Sequence, residues 1–175
     1  ANKLGFKYTG IDIRQEQIDS NREQAINILD ALNQPIWHIG DSNEVLDTIN
    51  ENYDFIFSCP PYADLEVYSD LPNDISNMPY NKFMIAYDSI IKKSCEKLIS
   101  GGYACFVVGE VRDKQGNYIG FVPDTIKSFT KCGMKYYNEA ILLNPVGTAS
   151  MRSNGNMKTQ KLVKIHQNIL IFKKT

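Results

Sequence analysis

Tyr53-Asp54-Phe55-Ile56-Phe57-Ser58-Cys59-Pro60-Pro61-Tyr62 is an apolar, strand-like run that ends in a double proline and an aromatic ring. Neither proline offers an N–H and both hold φ fixed, so the strand cannot continue its ladder and the chain must turn out of the sheet after Ser58. Two backbone carbonyls freed from pairing, followed by Tyr62, form a pocket with a definite chemistry. They accept hydrogen bonds from a planar –NH2 group while the tyrosine stacks on the ring that carries it.

Outward from this corner, strands alternate with helices. Tyr8-Thr9-Gly10-Ile11-Asp12-Ile13 reads as a short strand ending in an acid, followed by a polar, helix-period stretch over residues 15–33. Ile36-Trp37-His38-Ile39-Gly40-Asp41-Ser42 is a second strand, ending before a helix-like segment over residues 44–50. An ionised carboxylate at a strand end accepts protons from hydroxyls or amines. Asp12, Asp41 and Ser42 can equally cap the helices that follow, with Glu44 near a capping-box position. Residues 82–99 carry apolar Phe83, Ile90, Ile91 and Leu98 at helical spacing, with Gly101-Gly102 as the stop. Residues 103–109 form a continuous apolar run that reads as a buried strand. A helix over residues 123–131 opens at Pro123 and ends near Gly133. Residues 135–143 and 167–172 complete the pattern as an antiparallel hairpin around a long polar loop. This order predicts an α/β sheet with ligands at the carboxyl ends of its strands.

Cys59-Pro60-Pro61-Tyr62 resembles the Asp/Asn/Ser-Pro-Pro-Tyr/Phe motif of the amino methyltransferases, which methylate the exocyclic nitrogen of adenine or cytosine in DNA with S-adenosylmethionine as cofactor. The resemblance spans essentially the whole chain. It implies a Rossmann-like class I methyltransferase sheet with helices on both faces, mostly parallel with an antiparallel C-terminal hairpin. It also implies a single catalytic domain over residues 1–175 without a separate target-recognition domain. By the same resemblance Asp12 holds the cofactor's ribose hydroxyls, Ile13 lies against its adenine, Asp41 accepts from the adenine amine, and Ser42 and Ser58 complete the cofactor set. Cys59, Pro60, Pro61 and Tyr62 then form the catalytic corner, without a metal. The target base leaves the duplex stack, Tyr62 stacks on it and the Pro60 carbonyl orients its amine. Lys164-Ile165-His166-Gln167-Asn168-Ile169-Leu170-Ile171-Phe172 is similar to the family's Lys-x-His-Glu-x-Ile-Leu-Val-Phe pattern, with Gln167 where Glu is common. His166 either lines the target pocket or is a structural residue at the start of a strand. Residues 64–70 and Gly109-Glu110-Val111-Arg112-Asp113 resemble the compact DNA methylases of bacteriophages. RNA or a protein amide as substrate, or a non-catalytic binding module, are the alternatives.

Two features depart from the family pattern. Cys59 replaces Asp, Asn or Ser, and thiol sulfur is a weak acceptor. A cysteine nucleophile is the competing reading, although in ring-carbon methylases the cysteine follows the proline. In addition, Ala1-Asn2-Lys3-Leu4-Gly5-Phe6 reads as the last turn of a helix stopped by Gly5, and the family places a strand and a Gly-rich turn before that helix. The sequence contains no Gly-x-Gly. The expectation is therefore that an upstream segment or a partner chain fills a gap in the sheet, or that the strands ending at Asp12 and Ser58 close up edge to edge, and that these residues alone bind cofactor poorly.

A chain of 175 residues suffices for one domain with a sizeable core. Cys59, Cys95, Cys105 and Cys132 have neither zinc nor disulfide spacing, which suggests a reducing, cytoplasmic setting. No apolar run approaches the ~18 residues of a spanning helix. The net charge of −1 is unusual for a DNA-binding protein, yet Arg152, Lys158, Lys161 and Lys164 fall in an acid-free stretch. Together with His166 they are the candidate nucleic-acid residues, the four basic ones carried on a flexible loop around Ser153-Asn154-Gly155-Asn156. Asp64, Glu66, Asp70 and Asp74 would repel a phosphate backbone, so their loop is expected to be a lid or a partner surface.

Overall fold

The computed structural model describes residues 1–28, 34–62 and 67–175. The chain divides into two compact units, Ala1–Glu51 with Ala63–Ser94, and Asn52–Tyr62 with Cys95–Thr175.

The first unit opens with a 3₁₀ turn, Asn2–Leu4, stopped by Gly5 in the left-handed region as expected. β1 (Thr9–Asp12) and β2 (Ile36–Ile39) form a two-stranded parallel sheet, joined through α1 (Gln15–Ile28). Residues 29–33, where the sequence suggested that this helix ends, lie outside the described residues. Tyr8 sets its ring edge against Trp37, 5.3 Å away. α2 (Ser42–Thr48) starts two residues earlier than its sequence pattern indicated, because Asp41 caps it. α3 (Tyr80–Glu96) buries Phe83, Tyr87 and Ile91, one residue per turn. Lys93 Nζ ties α3 to α2, donating to Asn43 O and pairing with Asp47.

The second unit is a mixed four-stranded sheet in the order β3-β4-β6-β5. β3 (Tyr53–Ser58) runs parallel to β4 (Leu98–Val108), while β6 (His166–Lys173) is antiparallel to both β4 and β5 (Lys135–Leu143). α4 (Phe121–Lys131) packs its buried Phe121, Thr125, Ser128 and Phe129 face inward. Phe129 lies 4.1 Å from Phe172, stacked, and edge-on to Phe106 at 4.8 Å. This aromatic layer, with Ala104, Val108 and Leu170, is the core of the unit.

Two expectations need correction and a third is narrowed. Gly101-Gly102 does not stop a helix that reaches residue 99; α3 ends at Glu96, and β4 has already begun at Leu98 and runs through both glycines. Gly101 has φ of +80°, the register with β3 shifts here, and a side chain on Gly102 would stand 2.9 Å from Ile99 O and 3.0 Å from Asp54 O. The pair is a bulge that lets neighbouring backbone approach. Next, α5 (Ala149–Lys158) replaces the flexible loop. Ser153 Oγ and Asn156 Nδ2 bond back to the carbonyls of Ser150 and Arg152, so polar side chains read as loop-formers serve the helix backbone. Finally, of the alternatives for the gap in the sheet, edge-to-edge pairing of the strands ending at Asp12 and Ser58 is not formed among the described residues.

Candidate active site

The carboxylates at the ends of β1 and β2 sit at a switch from strand to helix. Asp12 Oδ1 accepts the Arg14 N–H at 2.9 Å and lies 3.6 Å from Arg14 Nε. Asp41 Oδ1 accepts the Asn43 N–H at 2.8 Å as the N-cap of α2. Both residues therefore do the local work that a cap or turn reading predicts. Their Oδ2 atoms accept no hydrogen bond among the described residues, which leaves one acceptor at each strand end for a ligand. Ile13 and Ser42 flank them, half-buried. On the stretch that carries Asp41, Trp37 Nε1 and Asn43 Oδ1 are buried with no partner among the described residues. Each such orphan costs ~1–3 kcal/mol, an unmet demand that a ligand with donors and acceptors can relieve.

The proline corner belongs to the second unit. Because Ser58 pairs in parallel with Phe106, residues 59–62 leave β3 at the same end at which Gly109 and Glu110 leave β4. Pro60, Pro61 and Tyr62 are half-buried and Cys59 is exposed. Tyr62 meets Phe121 edge-on, 5.7 Å between ring centroids. A side-chain carbon on Gly109 would stand 3.6 Å from Tyr62 Oη and 3.7 Å from Lys164 Nζ, so the two groups converge over that glycine. Lys164 makes no hydrogen bond or ion pair among the described residues; burial lowers its pKa, and the charge of Glu110 only partly opposes this. Glu110 caps α4 from outside, accepting the N–H groups of Gly120 at 3.2 Å and Val122 at 3.0 Å. Although Cys59 is exposed overall, partial desolvation raises its pKa, which disfavours a thiolate nucleophile.

His166 is the first residue of β6 and pairs with Leu143 of β5. Arg152 and Lys158 lie on α5; Lys161 and Lys164 follow it. Of the acidic loop, Asp64 and Glu66 lie outside the described residues and Asp70 is exposed. Asp74 is not the repulsive surface charge its sequence context suggests: it is buried, taking hydrogen bonds from Ser69 Oγ at 2.6 Å and Ser76 N at 2.8 Å. Glu110 and Phe121 escaped sequence reasoning as site-builders, since the carboxylate reaches amides 10 and 12 residues away with no local motif to announce it.

Charge is divided sharply between the units. The unit with the proline corner holds twelve Lys and Arg against six Asp and Glu, a formal +6, and the unit with Asp12 and Asp41 holds seven against fourteen, a formal −7.

No protein-family model matches the chain, and no curated protein matches its sequence. Solved structures do match. A "putative DNA modification methylase" of Thermus thermophilus, complexed with S-adenosyl-L-methionine, aligns over 78% of this chain and 54% of its own at 21% identity, with a TM-score of 0.58. Magnesium protoporphyrin IX methyltransferase of Synechocystis PCC 6803, with bound cofactor, aligns over 99% of this chain and 62% of its own at 12% identity and TM-score 0.60. The N-methyltransferase NodS of Bradyrhizobium japonicum WM9, in complex with S-adenosyl-L-homocysteine, gives 96%, 66%, 13% and 0.58. The chain thus has the α/β fold of S-adenosylmethionine-dependent methyltransferases, and it spans about half the length of the methylase structure. No described helix is long and apolar enough to cross a membrane.

Proposed function

We propose that the chain is the catalytic domain of an S-adenosylmethionine-dependent methyltransferase acting on the exocyclic amine of adenine or cytosine in DNA. The observation that carries this reading is the proline corner: residues 59–62 stand at the carboxyl end of β3, with Tyr62 braced by Phe121 and facing Lys164 over Gly109. The formal +6 charge of the same unit favours a polyanionic substrate. The DNA modification methylase among the structures of like fold supports the same choice.

Asp12 and Asp41 would hold the cofactor through their open Oδ2 atoms, with Ile13 and Ser42 beside them in the same unit; the residues fit a ligand that carries hydroxyls and an amine. When bound, S-adenosylmethionine supplies an electrophilic methyl group. Tyr62 would stack on the extruded base and the Pro60 carbonyl would accept one amine hydrogen, which fixes the direction of the nitrogen lone pair. Lys164, half-buried and unpaired, offers a donor to the base edge beside the amine. Cys59 contributes little as an acceptor, so positioning carries most of the rate.

The test is incubation of the protein with methyl-labelled cofactor and DNA, RNA or protein, followed by digestion and mass analysis. N6-methyladenine or N4-methylcytosine in the DNA arm is expected. Label only in RNA or in a protein amide would overturn the substrate, and cofactor binding with label in none would overturn the enzyme. Tyr62→Ala should weaken binding to the DNA substrate by ~1–3 kcal/mol and leave cofactor affinity unchanged.

A further inference from the structure

We propose that the hairpin of residues 111–119, with Lys161 packed on it, is a track that grips single-stranded DNA beside the target base. This rests on the reading above that the substrate is DNA. Arg112 and Tyr118 pair across the hairpin as an antiparallel bridge, and Ile119 N bonds to Val111 O at 3.0 Å. The Arg112 guanidinium lies 3.9 Å over the Tyr118 ring and donates to Gly116 O at 2.6 Å, so its plane is fixed. Tyr118 remains half-exposed, which leaves an aromatic surface with a cation held against it. Gly116, at φ +94°, turns the hairpin, and any side chain there would overlap the end of Lys161. The lysine stem thus rests on bare backbone.

The charges around this platform do not cancel. Lys161 and the exposed Lys114 make no hydrogen bond or ion pair among the described residues. The hairpin's acid, Asp113, is exposed but local in its bonding: its carboxylate accepts the Asn117 N–H at 2.8 Å, and it is outnumbered by Arg112, Lys114 and Lys161. Glu110, at the base of the hairpin, is committed to the amides of α4. The hairpin thus presents a half-exposed ring under a cation, the exposed Lys114 ammonium and the Lys161 ammonium lying on Gly116, a combination that tracks a single strand through bases and phosphates. The hairpin begins two residues after Gly109, over which Tyr62 and Lys164 meet.

The experiment is fluorescence anisotropy of the full chain with a labelled mixed-sequence single-stranded DNA, over a range of salt concentrations. Lys161→Gln and Lys114→Gln should each weaken binding several-fold and lower the salt slope by about 0.7. Tyr118→Leu should weaken it ~5- to 150-fold with the slope unchanged. Lys127→Gln and Lys131→Gln on α4 are controls, and thermal melts verify folding. No binding by the parent protein at low salt, equal losses in the controls, or heparin competing at equal charge while Tyr118→Leu has no effect would each overturn the track. Strand binding that responds as expected without methyl transfer to DNA would remove the enzymatic reading and leave the track standing. Methyl transfer with unchanged KM and anisotropy in all three variants would remove the track alone.

Discussion

Asp12 and Asp41 each commit only one carboxylate oxygen to the fold. In each, Oδ1 serves the local turn or helix cap and Oδ2 stays open, so the cap leaves room for the cofactor role proposed above. Asp12→Ala should weaken S-adenosylmethionine binding by ~1.5–3 kcal/mol, the scale of a hydrogen bond to a charged group, as read by calorimetry. Unchanged affinity would remove Asp12 from the cofactor site. Cys59 poses the opposite case, a position where the residue type is poorly matched to its task. Its thiol, raised in pKa by partial desolvation, accepts weakly, so Cys59→Asp or Cys59→Ser should raise the methyl transfer rate several-fold. A fall in rate with both, together with a covalent adduct trapped on the parent protein, would point to the nucleophile instead. Position by position, the proline corner was legible because Pro-Pro constrains the backbone whatever surrounds it. The convergence of Lys164 with Tyr62 was not, because it depends on a glycine 55 residues before the lysine leaving room for both.

Among the elements, strands and their order were easier to read than the segments joining them. β3, β5 and the apolar half of β4 follow from continuous or β-branched runs and match their expected spans closely. The double glycine misled because the same residues that end helices also make bulges, and only the approach of Asp54 O to Gly102 distinguishes the two. α5 was missed since its Ser, Asn and Gly content favours a loop by propensity, while back-bonding to its own carbonyls supports the helix. The segment before α3 is likewise more ordered than its acids suggested. Asp74 caps the 3₁₀ turn Ile75–Asn77; burial pushes its pKa up, but hydrogen bonds from Ser69 and Ser76 and the charge of Arg14 outweigh this and hold it below the ordinary value. The ionised form is thus favoured in the folded state. Its stabilisation is complete above the unfolded-state pKa near 4 and is lost as pH falls through the lower folded value. Asp74→Asn should therefore cost ~1–3 kcal/mol at pH 7, and the deficit should shrink below about pH 4 in denaturant titrations. A deficit that is constant down to pH 2 would place the effect elsewhere.

For the whole molecule, the strand edges come first. Phe55 and Phe57 are 53% and 59% exposed on β3, which is hydrogen-bonded to a strand on one side only among the described residues. A bare apolar edge is a template for pairing with another chain. The full chain should self-associate as concentration rises, and Phe57→Lys should shift sedimentation towards monomer; identical profiles would show the edge to be protected. The division of charge has a consequence for how such proteins are recognised at all. With +6 and −7 on two units of one chain, the total of −1 is an average that describes neither. A survey ranking proteins by bulk charge would file this one with ordinary metabolic enzymes, and an anion-exchange or cation-exchange column would sort it by whichever unit met the resin. Because each unit is built from two stretches of the chain, proteolysis would have to cut near residues 51, 62 and 94 to part them; the paired pieces of one unit would then migrate opposite to those of the other in an electric field.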